Sequence, residues 1–241
     1  KTAKILKKPF TMTIIAILCG FLVAGIILSI AGYPPLHSLS VLIQGVFSGP
    51  KHISNVIIKS TPLILTGIGV AFAFKTGLFN IGAEGQFIMG CVASTTVGII
   101  CDFPAVIQIP LVLAAGVIAG AIFGGLVGFL KSKFGIHEVL TSIMFNWIAL
   151  YFSNWVCNLE RFHKPDTIGT YAINESGYTM ILGKWKTTKE GKEALLSSDF
   201  LRDTLLKTDV NAGIIAAVIL AVLVSFLLYK TTKGFELRAV G

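Results

Sequence analysis

Charge is scarce in this chain. Only 13% of its 241 residues are Asp, Glu, Lys or Arg, against 54% hydrophobic. That composition would be hard to keep soluble and fits an integral membrane protein. Signature sequences of common enzyme chemistry are missing too. The chain contains no GxxxxGK[ST], no HExxH, no CxxC and no GxSxG, so it shows no recognisable nucleotide site, metal site or nucleophile elbow. If ATP powers any process here, another subunit holds it. Cysteine is sparse: Cys19, Cys91, Cys101 and Cys157 all lie in or at the ends of apolar stretches. They read as small apolar packing residues and not as a disulfide framework. No catalytic residue, metal ligand or cofactor is expected.

Long apolar runs, by contrast, are plentiful. Six stretches, at roughly 12–31, 54–74, 84–101, 105–130, 137–157 and 211–229, can each span a bilayer core of ~30 Å at about 1.5 Å per helical residue. The first is longer than the apolar core of a signal peptide and reads as a retained span. The expected fold is therefore all-α, a polytopic transmembrane helical bundle of about six spans, forming one membrane domain over 1–241.

The basic residues orient the bundle. Lys1, Lys4, Lys7 and Lys8 precede the first span, Lys131 and Lys133 follow the fourth, and Lys230, Lys233 and Arg238 follow the sixth. Counting spans puts all three clusters on one side, with Lys75 near it, and the positive-inside rule makes that side cytoplasmic. The segment 158–210 then lies outside, and its eight basic and eight acidic residues cancel. The net charge of +8 thus reads as an orientation signal and a contact with anionic membrane lipid; nucleic acid is not an expected partner.

Between the second and third spans lies FKTGLFNIGAEGQ, Phe74 to Gln86, too polar and glycine-rich for ordinary membrane helix. Irregular backbone at membrane depth must be packed in protein or line a wet cavity, and such breaks point to where a solute is handled. Asn80 and Gln86 offer donors and acceptors suited to a polyhydroxylated or heterocyclic solute. Glu84 is expensive in a membrane unless paired, hydrated or protonated. The competing reading is structural, with Asn80 and Glu84 capping the following helix. Lys75 reads as an interfacial anchor or a partner for Glu84.

A second polar cluster opens the fifth span. Glu138, Thr141, Ser142 and Asn146 fall on one helical face, which must meet protein or water; hydrogen bonding between helices is the plainer alternative. His137 reads as interfacial. Gly116, Gly120, Gly124 and Gly128 form a four-residue ladder for close helix approach. Lys59 is expected to snorkel, with Pro62 allowing a local bend. The tail TTKGFELRAVG, Thr231 to Gly241, is either a basic loop beside the membrane or an amphipathic docking helix.

FKTGLFNIGAEGQFIMG (74–90), HEVLTSIMFNWIALY (137–151) and TTKGFELRAVG (231–241) together resemble bacterial ABC-importer permeases of the branched-chain amino acid/ribose type, nucleoside and simple-sugar branch. The resemblance implies inverted repeats, a solute path between broken helices and a coupling helix. It places Asn80, Glu84 and Gln86 in the first broken segment, Glu138, Thr141 and Asn146 in the second, and Gly234, Phe235, Arg238 and Gly241 at the start of the coupling segment. It further implies a cytosolic ATP-binding subunit, a second permease subunit and an external substrate-binding lipoprotein. The family pattern continues past Gly241, so the chain reads as incomplete at its C-terminal end. The expected function is nucleoside import by alternating access, with simple-sugar import next. A proton-coupled secondary transporter or channel using Glu84 or Glu138 is the alternative from another class.

Overall fold

The computed structural model describes residues 9–183 and 185–240. Lys1, Lys4, Lys7, Lys8, Lys184 and Gly241 lie outside the described residues. The described residues form ten α-helices and no sheet, only isolated bridges at His163–Thr170 and Met180–Asn211. The chain divides into two units, Lys1–Val56 and Ile57–Gly241.

The first unit holds α1 (Pro9–Ile30), α2 (Pro35–Phe47) and the start of α3 (Pro50–Lys75). Helix α2 has no counterpart among the expected spans. At 13 residues, with His37, Ser38, Ser40 and Gln44 along it, it falls short of a span by length and polarity. Pro35 opens it at a position where its missing N–H costs nothing.

The second unit carries the rest of α3, then α4 (Ala83–Ile100), α5 (Ala105–Phe134), α6 (Glu138–Cys157), α9 (Gly213–Lys230) and α10 (Thr232–Val240). Among the described residues, six helices are long and apolar enough to cross a membrane: Thr11–Ile30, Pro50–Lys75, Ala83–Ile100, Ala105–Phe134, Glu138–Cys157 and Gly213–Lys230. These are the six expected spans, with α3 starting earlier and α5 running further than the apolar runs alone suggested. Helix α3 continues through Pro62, and the Thr66 hydroxyl bonds back to the Pro62 carbonyl at 2.9 Å.

Helix α4 sits against both α5 and α6. The glycine ladder makes the α4–α5 contact, as its spacing predicts. A Cβ at Gly116 would lie 3.3 Å from the Gly90 carbonyl oxygen, and one at Gly124 would lie 2.9 Å from the Gln86 side chain. Gly120 faces the Gln86 carbonyl, whereas Gly128 faces open space. The close approach therefore runs over three rungs of the four.

Segment 158–210 carries its own short helices, including α7 (Lys189–Leu196) and the single turn α8 (Asp199–Leu201) followed by a π-helical turn at Arg202–Leu206. None was legible as an apolar run. Arg202 and Lys207 converge on Asp203 at 3.2 and 2.8 Å, and the Lys207 ammonium together with Arg202 holds the Asp203 carboxyl below its ordinary value.

The same segment completes the end of α4. A helix leaves its last carbonyls without internal donors. Here the Asn174 backbone N–H donates to Gly98, and its side-chain amide donates to Ile99 and Cys101 at 3.3 and 2.9 Å. Gln108, fully buried, donates to the Cys101 carbonyl at 2.7 Å and accepts from the Phe103 N–H. Two amides thus close the α4–α5 turn and fasten the following segment to it. Asn174→Ala strands the Ile99 carbonyl and is expected to cost about 1–3 kcal/mol, read as a lower melting temperature of the purified protein. An unchanged melting temperature would show that water serves that carbonyl equally well.

Candidate functional site

The polar break is built from the end of α3 upward. Gly77, at φ +74°, terminates α3 in the left-handed conformation that suits glycine. The Leu78 N–H then reaches the Ala73 carbonyl at 2.9 Å and the Gly77 N–H reaches Phe74 at 3.4 Å. This is the Schellman pattern that satisfies terminal helix carbonyls. Residues 78–82 stay irregular, and α4 begins at Ala83.

The start of α4 has orphan N–H groups of its own. Asn80 answers one by accepting from the Gly82 N–H at 2.9 Å. Asn146, from the middle of α6, answers another by accepting from the Gly85 N–H at 2.9 Å. The same Asn146 amide donates to the Ile81 carbonyl at 3.1 Å, so one side chain grips the break on both sides of the helix start. Gly85 permits the approach, since a Cβ there would lie 2.8 Å from the Asn146 oxygen and 3.1 Å from its Cα.

Asn146 is eight residues into α6, about 12 Å of helical rise from its start. On α5, Gln86 lies against Gly124, seven residues before Lys131, or about 10 Å of rise. The beginning of α4 is therefore recessed into the bundle relative to the adjoining ends of α5 and α6. Leu78, Phe79 and Ile81 in the break remain exposed, while Gly82 and Gly85 are buried where the polar stripe of α6 packs on them.

Gln86, half-buried, points its amide at Asn80 Oδ1 at 3.4 Å. Glu138 forms an ion pair with Lys131 at 2.6 Å, across the turn from α5 to α6. With Asn80, Gln86, Phe79 and Gly128 it lines a small cavity of about 80 Å³. Thr141 is buried and donates to the His137 carbonyl at 3.1 Å. His137 caps α6, its Nδ1 accepting from the Val139 N–H. Glu84 is exposed and lines a separate, larger cleft with α3. No ion pair joins it to Lys75 among the described residues.

Sequence reasoning placed Ser142 on the polar face but not among the site residues. It is fully buried against Gly82, and its hydroxyl has no hydrogen-bond partner among the described residues. Lys131 was read only as an orientation signal. Its role as the partner of Glu138 depends on how the α5–α6 turn folds back, which no spacing rule reveals.

At the far end of the chain, the tail is a helix. Thr231 caps α10 by accepting from the Gly234 N–H at 3.0 Å. Gly234 is buried where α10 folds back on α9, and a Cβ there would collide with the Leu227 and Leu228 carbonyls. Arg238 bonds to the Gly234 carbonyl and stacks over Tyr229 at 5.1 Å. Phe235 stands 66% exposed.

The sequence that folds into this break and tail was compared with known protein families and proteins. Residues 52–241 fit the family model described as branched-chain amino acid transport system / permease component. The chain belongs to this family. It is 38% identical to the guanosine ABC transporter permease protein NupP of Bacillus subtilis over 95% of this chain and 60% of that protein. It is 32% identical to the nucleoside ABC transporter permease protein NupB of Lactococcus lactis over 100% of this chain and 62% of that protein. A glucose ABC transporter permease protein, TsgB13 of Haloferax volcanii, is 29% identical over 95% of this chain and 57% of that protein. The chain thus spans about 60% of the length of these relatives. No solved structure gives a significant match. As a member of this family with six helices among the described residues long and apolar enough to cross a membrane, it is a multi-pass membrane protein.

Within this fold Asn146 has a testable structural role. Asn146→Ala leaves the Gly85 N–H and the Ile81 carbonyl without the groups that serve them, a loss of about 1–3 kcal/mol. The expected readout is a lower melting temperature and less protein in the membrane. Uptake lost at unchanged melting temperature would instead make Asn146 a solute contact.

Proposed function

We propose that the chain is the transmembrane permease of an ATP-binding cassette importer that carries nucleosides into the cell by alternating access. The observation that carries this reading is the recessed polar break of 76–86, clasped by the α6 stripe, in a chain whose relatives include permeases named for guanosine and nucleosides. Amide and carboxylate groups around that break suit a neutral heterocycle bearing a sugar better than a bare ion. Simple-sugar import is the second reading, favoured by the likeness to a permease named for glucose.

In this scheme the basic helix ends face the cytoplasm, placing the N-terminus there and segment 158–210 outside. An external substrate-binding lipoprotein delivers the solute, and a second permease subunit completes the path. Asn80, Glu84, Gln86, Glu138, Thr141 and Asn146 border the solute, directly or by holding the backbone that does. ATP is hydrolysed on a separate cytosolic subunit. Helix α10 receives the motion through Gly234, Phe235 and Arg238. Its fold-back on α9 makes it a lever continuous with a span, and its exposed Phe235 presents an apolar knob to a partner groove.

Phe235→Ala and Arg238→Glu are expected to lower both nucleoside uptake and transport-linked ATP hydrolysis at least severalfold, with the amount of protein in the membrane unchanged. Uptake and ATP hydrolysis in vesicles holding all subunits measure both. Intact coupling in both variants removes the docking assignment. Uptake that collapses with an uncoupler at constant ATP would favour a proton-coupled transporter instead. Competition by glucose and not by nucleosides would select the sugar reading.

A further inference from the structure

Helices α3 and α4 bound an open cleft of about 630 Å³, along which Phe74, Glu84 and Phe87 are exposed. Thr66, Gly67, Ala71 and Phe74 line it from α3, and Glu84 and Phe87 from α4. Small residues open its α3 wall, and Phe74 is braced edge-on by Phe79 at 4.8 Å between ring centres. Glu84 is the only ionisable residue in the lining.

Glu84 is also the member of the break with nothing to hold. The N–H groups of Gly82 and Gly85 are taken by Asn80 and Asn146, and the Glu84 carboxylate serves neither. Glu138, the other carboxylate nearby, is engaged by Lys131. Among the described residues, Glu84 has neither a hydrogen bond nor an ion pair. A free carboxylate in an apolar cleft at membrane depth is costly against lipid, and such groups face a wet path or a ligand.

Resting on the reading as a nucleoside importer, we propose that this cleft is a nucleobase subsite in which Glu84 reads a paired N–H edge. Phe74 and Phe87 cover the faces of the base. An ionised carboxylate only accepts hydrogen bonds, and its two oxygens match two donors side by side. Guanine presents that pair, its ring N–H beside its exocyclic amine. Hypoxanthine keeps only the ring N–H. Adenine and cytosine set an acceptor beside the amine, and uracil flanks its N–H with carbonyls that a carboxylate repels. The cleft thus discriminates in favour of guanosine by donor count. A ribose diol is the other donor pair on a nucleoside and must be separated from the base by experiment.

The test is ATP-driven uptake by the whole importer, built from the full-length permease and its partner subunits, with guanosine, inosine and dideoxyguanosine as probes. One binding protein serves every permease variant, so its own preference cancels from each ratio. Glu84→Gln, with one acceptor in place of two, is expected to reduce the guanosine-to-inosine uptake ratio about tenfold. Dideoxyguanosine, which lacks the ribose diol, should fall as guanosine does. Glu84→Asp should hold the ratio near its original value, and Phe87→Leu should lower all three probes by a common factor. Equal losses of guanosine and inosine overturn the proposal, as does a dideoxyguanosine signal untouched by Glu84→Gln. Failure of the unmodified importer to take up any nucleoside overturns the functional reading itself, before a variant is compared.

Discussion

A membrane gives no water to an unpaired peptide group, and the second unit of this protein is organised around that constraint. Where α3 stops and α4 starts, the backbone leaves helical geometry inside the bundle, and every exposed N–H and C=O there needs a partner made of protein. The Schellman turn at Gly77 serves the end of α3. Asn80 and Asn146 serve the start of α4, and Asn146 alone binds both the helix start and the strand of chain before it. Removing that grip would leave the break without a reason to stay open in one conformation.

The same demand is met by the same chemistry at the other end of α4. Asn174 and Gln108 close its final carbonyls from outside the helix. Side-chain amides suit both tasks because they donate and accept together. Helix α4 is therefore held at its two ends by residues far away in sequence, with the glycine ladder of α5 pressed along its length. The consequence is a short span fastened at both ends, with a polar recess at one of them.

Much of this was legible beforehand. The six spans follow from apolar length, the polar break from its glycines and amides, and the α6 stripe from helical spacing, because each of these properties is local. The glycine ladder predicted close packing and met it on three rungs. Other features were out of reach. Helix α2 is too short and too polar to announce itself, and the helices within 158–210 carry no apolar run. The resemblance placed Asn80, Glu84 and Gln86 in one broken segment and Glu138, Thr141 and Asn146 in another, without fixing which of them touch solute. Folding separates them, engaging Glu138 with Lys131 and Asn146 with backbone while leaving Glu84 in an apolar cleft.

What the sequence determines by itself is the solvent this chain lives in, the number of its spans and the place where one of them must break, since hydropathy and backbone satisfaction depend only on residues near one another in the chain. Which donor meets which acceptor was decided by tertiary structure alone. Asn146 and Gly85 are 61 positions apart, and no periodicity spans that distance. Their pairing exists because α6 packs against α4 at one depth, where a glycine leaves room for an amide to reach a peptide nitrogen.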